Sequence, residues 1–125
     1  MSETHLTRAT ERRKETTPTP GMRREEAVRT DAVWAGLAVT AGGVFSGWHH
    51  HGAYESVIHV LNGQLRLEYG AGGAKMLEAT PGDTLYVAPG EVHREGNPGV
   101  DEAEIFVVRS GSGDLVINVE GPAAR

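Results

Sequence analysis

Two stretches of sequence decide the fold of this chain: GVFSGWHHHGAYESVIHVLNG at residues 43–63 and PGDTLYVAPGEVHREGN at residues 81–97. Both contain short runs rich in Val, Ile and aromatic residues, bounded by Gly, Pro and Asn, which is typical of short strands joined by tight turns. Residues 64–69 alternate apolar with charged side chains, as a half-buried strand does. Because no long helical periodicity is present, the sequence predicts an all-β sandwich or barrel.

The predicted strands begin at Ala32. We predict them at residues 32–39, 44–51, 54–61, 64–69, 75–79, 84–87, 104–109 and 115–119. The dipeptide Asn62-Gly63 predicts a type I′ hairpin turn, since both of its residues tolerate a positive φ. Residues 22–29 are predicted to form a helical turn or an irregular arm. Residues 1–20 have almost no apolar side chains and are predicted to be a disordered or extended tail, whereas residues 21–125 form one barrel domain.

The composition excludes several classes of function. The chain has 125 residues, enough for one domain, with 17 Gly, 6 Pro and no Cys. Disulfides and thiolate metal sites are therefore excluded. A net charge of −5 without a basic stripe argues against nucleic acid as a partner. No apolar run is long enough to span a bilayer, so we expect a cytoplasmic protein without a membrane partner.

The histidine run predicts a metal site. His49 and His51 occupy alternate positions of a strand, so both can point inward at a distance that one ion bridges, while His50 points outward. Glu55 follows a turn and could bring a carboxylate to the same point, and His93 lies just after a Pro-Gly turn. Three imidazoles and a carboxylate suit a divalent ion. The alternative is a chance run of surface histidines.

The same residues match two motifs of a known family. Gly43-x5-His49-x-His51-x3-Glu55 followed by Gly63 resembles the first motif of the cupins, and Pro81-Gly82-Asp83-x4-Ala88-Pro89-Gly90-x2-His93-x3-Asn97 resembles the second. The resemblance covers residues 32–119 and is to small single-domain cupins. It implies a double-stranded β-helix (jelly-roll) barrel, here with an extended N-terminal arm, and a metal inside. Carried over by position, the implied ligands are His49, His51, Glu55 and His93.

The spacing departs from the family at the carboxylate. Cupins usually have six residues between the Glu and the closing Gly, whereas Glu55 to Gly63 leaves seven. Counting back from Gly63 places Ser56 at the usual ligand position. Either a bulge lets Glu55 reach the metal, or the site consists of three histidines and water with Glu55 beside it. We favour Glu55 as a ligand, because neutral Ser56 is a poor one.

The site predicts metal-dependent chemistry on a small, oxygen-rich organic molecule. One divalent ion (Fe, Mn, Zn, Ni or Cu) would support Lewis-acid isomerase, cyclase or lyase chemistry, or a dioxygenase reaction. Glu55 or a water at the metal would act as base, and Tyr54 could donate a hydrogen bond to substrate or be a rim aromatic. The alternatives are a non-catalytic metal- and ligand-binding protein (sensor or storage) and a purely structural metal. We expect a homodimer, since residues 105–108 are apolar on both faces.

Overall fold

Short strands dominate the computed structural model, which describes residues 3–15, 19–113 and 115–123. In these ranges the helical elements are two 3₁₀ turns, at Ala9–Glu11 and Ala71–Gly73, and no helix is long and apolar enough to cross a bilayer. The strands, numbered in chain order, are β1 (Arg13–Lys14), β2 (Met22–Arg29), β3 (Val33–Thr40), β4 (His49–His50), β5 (Glu55–Asn62), β6 (Leu65–Tyr69), β7 (Lys75–Ala79), β8 (Thr84–Val87), β9 (His93–Gly96), β10 (Ala103–Ser110) and β11 (Ile117–Asn118).

The strands form two antiparallel sheets, which confirms the all-β prediction. One sheet has the order β1-β2-β3-β10-β5-β8, and the other has the order β11-β4-β9-β6-β7. Consecutive strands repeatedly change sheet, so the two sheets close around a shared interior. The apolar core between them consists of Trp34, Ile58, Val60, Leu65, Leu67, Ala79, Val87, Ile105 and Val107. Burying these side chains is the main favourable contribution to folding.

The predicted secondary structure of the charged segment at residues 22–29 is wrong. We expected a helical turn or irregular arm, but Met22–Arg29 is an eight-residue strand paired with β3. Its charged side chains are accommodated by ion pairs near the sheet edge, for example Arg29 Nε to Glu26 Oε1 at 2.7 Å. Backbone pairing therefore outweighs the low strand propensity of Arg and Glu.

Part of the N-terminal segment joins the same sheet. Strand β1 pairs with β2, with Arg13 opposite Glu26, and Arg12 Nε lies 2.9 Å from Glu25 Oε1. The division into a tail at residues 1–20 and a domain at residues 21–125 stays a prediction.

The predicted type I′ hairpin turn at Asn62-Gly63 is also wrong. The two residues do not close a hairpin, because β5 and β6 belong to different sheets. Gly63 has φ +77°, but none of the described residues other than glycines has a positive φ, so a type I′ turn is excluded at this position. A Cβ at Gly63 would lie 2.7 Å from the Cα of Ala103, so the crossover also needs glycine for space.

Candidate metal centre

Three histidines from two distant segments meet inside the barrel. His49 on β4 and His93 on β9 are register partners, and His51 follows β4 directly. Their exposed fractions are 5%, 0% and 4%. The ligand atoms of the three imidazoles lie within 4.8 Å of one another, a spacing that one ion can bridge. The structure thus brings together the three predicted histidines.

Hydrogen bonds to the backbone fix the tautomer of each imidazole. Each Nδ1 donates to a carbonyl oxygen: His49 to Gly47 at 2.9 Å, His93 to Glu91 at 2.9 Å, and His51 to Leu115. A carbonyl can only accept, so the proton is on Nδ1 and the lone pair is on Nε2. This is how proteins orient metal-binding histidines. The Nε2 of His93 is buried without a hydrogen-bond partner among the described residues, so the donor set fits a metal ion.

Burial also keeps His49 and His51 in the form that binds metal. It lowers the pKa of His49 and, together with the nearby Arg109 guanidinium, lowers the pKa of His51 to about 3. A neutral imidazole is the ligand, whereas the protonated form repels a cation. At neutral pH these two imidazoles therefore present lone pairs without first having to lose protons.

Glu55, the predicted fourth ligand and base, is not brought to this cluster. Strand β5 alternates from an exposed Glu55 to a buried Ser56, so the Glu55 carboxylate points away from the barrel interior. There it lies beside exposed Tyr86, whose pKa is raised by desolvation and by that carboxylate. No bulge intervenes between Ser56 and His59, where β5 pairs regularly with β8.

Ser56 occupies the inward position instead, in agreement with the count back from Gly63. It is 2% exposed, and its Oγ has no hydrogen-bond partner within the described ranges. The extra residue before Gly63 therefore exchanges the faces of Glu55 and Ser56, as a shift of one residue does in any strand.

A different carboxylate lies at the centre. Glu95 shares the inward face of β9 with His93, two residues away, and is 8% exposed. Its Oε1 is 3.8 Å from His49 Nε2, and its buried Oε2 has no hydrogen-bond partner in the described part of the chain. Burial alone would raise the pKa of Glu95, but the neighbouring side chains of His93, His49 and Arg109 favour the charged carboxylate more strongly and lower the pKa. The carboxylate is therefore ionised at neutral pH.

Sequence reasoning missed the roles of Glu95 and Arg109. The spacing His93-x-Glu95 repeats that of His49-x-His51, and that repeat is the signal that could have found the carboxylate. Arg109 follows the apolar run at residues 105–108. It continues the alternation of that strand at an inward-facing position, and it is 7% exposed.

The remaining candidates lie around this centre. Tyr54 is 9% exposed, and its backbone N–H donates to the carbonyl of His51. His50 is half-buried, and its Nδ1 accepts from the Gly52 N–H, so it is turned away from the ligand cluster. Arg94, next to His93, pairs with Glu68 through two hydrogen bonds, of 2.9 and 3.1 Å.

Similar folds are found among solved structures at low sequence identity. An uncharacterized protein with a double-stranded β-helix domain from Klebsiella pneumoniae is 19% identical, with a TM-score of 0.71 over 83% of this chain and 90% of that one. KdgF from Halomonas sp. is 16% identical, with a TM-score of 0.72 over 87% and 96%. Oxalate decarboxylase from Bacillus subtilis is 15% identical, with a TM-score of 0.71 over 82% of this chain and 29% of that one. These likenesses confirm the double-stranded β-helix.

The family assignment comes from the sequence. None of the curated proteins matches this chain. The family model of the cupin domain matches residues 37–109, more than half of the chain, and this range contains all three histidines of the cluster as well as Arg109. The chain belongs to the cupin family.

Proposed function

We propose that this cupin is a metal-dependent enzyme that holds one divalent ion through His49, His51 and His93 and acts on a small, oxygen-rich organic molecule. The observation that carries the proposal is the shared tautomer of the three buried imidazoles, which leaves every Nε2 lone pair within one ligand cluster. An apolar core would not retain three such groups without a partner for them.

A divalent ion bound there would supply Lewis-acid polarisation of a substrate oxygen or, if redox-active, chemistry with dioxygen. Three protein ligands are fewer than such ions commonly take, so positions stay open for substrate. An open position distinguishes a catalytic site from a purely structural one.

Glu95 acts as the base, the role that the sequence had suggested for Glu55. Its ionised carboxylate is buried beside the cluster, and its unpartnered Oε2 can accept a proton from a bound substrate or water. Its neighbours in the barrel are largely apolar, which excludes bulk water from the proton transfer.

One of the similar folds is consistent with this proposal. It belongs to oxalate decarboxylase, which by name acts on a small, oxygen-rich molecule, and a study of the same protein concerns its Mn(II) centres. A protein with a barrel of this shape can therefore hold a divalent ion.

The experiment is a turnover screen of the metal-reconstituted protein by NMR, with mixtures of small hydroxy, keto and sugar acids and their neutral analogues. We expect at least one component to be converted by the wild type and not by His93→Ala or Glu95→Gln. A matched control is Glu55→Gln, which removes a carboxylate from the outer face and should leave turnover unchanged. A protein that binds its metal stoichiometrically but converts nothing would support the binding-protein alternative instead.

The outer face of the six-stranded sheet supports the proposed homodimer. Val57, Leu61 and Tyr86 are exposed there, at 42%, 43% and 57%. They lie next to the outward Phe106 and Val108 of β10. A second copy of the same face would cover these side chains.

A further inference from the structure

The C-terminal segment at residues 115–123, here called the C-terminal strap, lies along the stretch that carries two of the three imidazoles. It meets four consecutive residues of that stretch through strand pairing or hydrogen bonds: His51 with Leu115, His50 with Ile117, His49 with Asn118 and Trp48 with Val119. The strap therefore follows β4 along its whole length and one residue beyond each end.

At its first residue the strap contacts a predicted metal ligand directly. His51 Nδ1 donates to the carbonyl of Leu115, which lies 64 residues away in the sequence. The acceptors of the other two imidazoles are carbonyls only two residues away, in their own segments. The side chain of Leu115 also packs against the apolar core. The orientation of His51, unlike that of its two partners, thus depends on whether the strap is docked.

The other end of the strap is held near the Trp48 indole. A Cβ at Gly121 would lie 3.8 Å from Trp48 Cδ1, which is ordinary van der Waals contact. The N–H of Gly72 donates to the carbonyl of Ala123 at 2.8 Å, and the N–H of Val119 donates to the carbonyl of Trp48 at 3.1 Å. The hydrogen bond of Val119 therefore reports whether the strap is in place.

The pairing that holds the strap is short and near solvent. Strand β11 has two residues and lies at the edge of its sheet, whereas β3 and β10 pair over eight residues each. Val116 and Val119 are 50% and 36% exposed. Gly111 and Gly113, which precede the strap, have φ +147° and +101°. Segments with few buried contacts open locally at a fraction of the free energy of global unfolding.

Metal binding and docking of the strap should strengthen each other. The Nδ1–H of an imidazole that binds a cation through Nε2 is a stronger donor, because hydrogen bonds from charged donors are about twice as strong as those between neutral groups. The bond from His51 to Leu115 is then stronger in the metal-bound protein. By linkage, the docked strap favours the bound ion to the same extent.

We propose that the C-terminal strap is a gate coupled to the metal centre. Its docking orients His51 towards the ion, and its release frees this side of the site for exchange of the ion and of the molecules bound to it. The inference rests on the proposed function for the presence of the ion only, since the contact between the strap and His51 belongs to the protein itself.

Hydrogen exchange of the Val119 amide, followed by NMR, measures the docking of the strap. Zinc should slow this exchange at least tenfold in the wild type. In metal-free protein, His51→Ala should speed it about fivefold, because one hydrogen bond to the strap is lost. The matched control is His93→Ala, which removes an equally buried imidazole whose acceptor is the carbonyl of Glu91, and it should leave the exchange of Val119 unchanged.

A disulfide lock measures the effect of the strap on release of the ion. Register partners on antiparallel strands have Cα atoms about 4.5–5.5 Å apart, within the range that a disulfide spans. The double variant His50→Cys with Ile117→Cys should form one, in a chain that has no other Cys. The locked protein should release zinc to a chelator at least tenfold more slowly than the matched unlocked variant, His50→Ser with Ile117→Ser.

The outcomes separate the two proposals. Equal zinc release by the locked and unlocked variants, or exchange at Val119 that zinc does not slow, would overturn the gate. If no zinc binds, the proposed function fails. Faster exchange in metal-free His51→Ala than in His93→Ala would still support the coupling, and equal exchange would overturn it. Should an alanine variant not fold, zinc release decides, because it is measured with all three ligands in place.

Discussion

His49 and His93 face each other as register partners on β4 and β9, with ring centroids 4.4 Å apart. This one strand pairing joins two segments that lie 44 residues apart in the sequence. The centre therefore depends on the sheet register, and a slip by one residue would turn one imidazole out of the cluster. His51, one residue beyond β4, completes the cluster from the same segment.

Acid should destabilise the metal-free protein below the ordinary pKa of histidine. Burial lowers the pKa of His51 from 6.5 to about 3, so between these values the unfolded chain binds a proton that the folded chain does not. The free energy of unfolding should be fully retained above pH 6.5 and fall by up to about 1.4 kcal/mol per pH unit as the pH drops towards 3.

Urea unfolding in the presence of a chelator measures this dependence, at neutral pH and at about pH 5. His51→Gln should flatten it, whereas His59→Gln, on the exposed face of β5, should not. A wild-type midpoint that does not change over this range would show that the imidazoles are not buried in the neutral form.

Removing each carboxylate in turn should distinguish the effect of Glu55 on metal affinity from that of Glu95. Glu55→Gln should leave metal affinity unchanged, because its side chain lies on the outer face. Glu95→Gln removes a negative charge 3.8 Å from His49 Nε2 and should weaken metal binding by about tenfold. Competition titration with a chromophoric chelator measures both. A loss of affinity in Glu55→Gln comparable with that in Glu95→Gln would restore Glu55 to the centre.

Two glycines with nearly equal φ angles allow the cost of backbone strain to be measured separately from the cost of a steric clash. Gly63 and Gly43 have φ +77° and +78°, but only at Gly63 would a Cβ meet a close neighbour, the Cα of Ala103 at 2.7 Å. Gly43→Ala should cost about 1 kcal/mol from the left-handed conformation alone. Gly63→Ala should cost about 2 kcal/mol more, because the crossover between the sheets must move. Equal denaturant midpoints of the two variants would contradict this account of the turn.

The proposed homodimer has a direct test. Light scattering during gel filtration should give twice the mass of one chain for the wild type, and Val57→Lys should shift it to the mass of one chain. A matched control is Val100→Lys, at a residue that is 93% exposed and outside this sheet face. A wild-type mass of one chain at micromolar concentration would exclude the dimer.

The sequence predicted most of the strands from residue 32 onwards, but the predicted strand at residues 44–51 contains only β4, and β1, β2 and β9 were not predicted. Strands β7 and β8 have the predicted bounds, because Gly and Pro turns delimit them closely. The prediction for Glu55 placed it on the wrong face of β5. The pairing of β5 with β8 and β10 decides which of its residues point into the barrel, and its own residues do not.

Charged strands and charged interior residues are difficult for a different reason. Strand β2 reads as polar, and only its pairing with β3 and its ion pairs make it a strand. Arg109 follows an apolar run in the sequence, and its burial against Trp34 becomes visible only when the pairing of β10 with β3 is known. Both depend on tertiary contacts that no local pattern contains.

The central claim is that His49, His51 and His93 hold one divalent ion. Elemental analysis of tag-free protein, reconstituted with Mn, Fe, Co, Ni, Cu or Zn and then dialysed, tests it most directly. We expect one ion per chain in the wild type and in the controls His50→Ala and His59→Ala, and none in His49→Ala, His51→Ala or His93→Ala. An ion retained in full by His93→Ala, or no ion bound by the wild type, would contradict the claim.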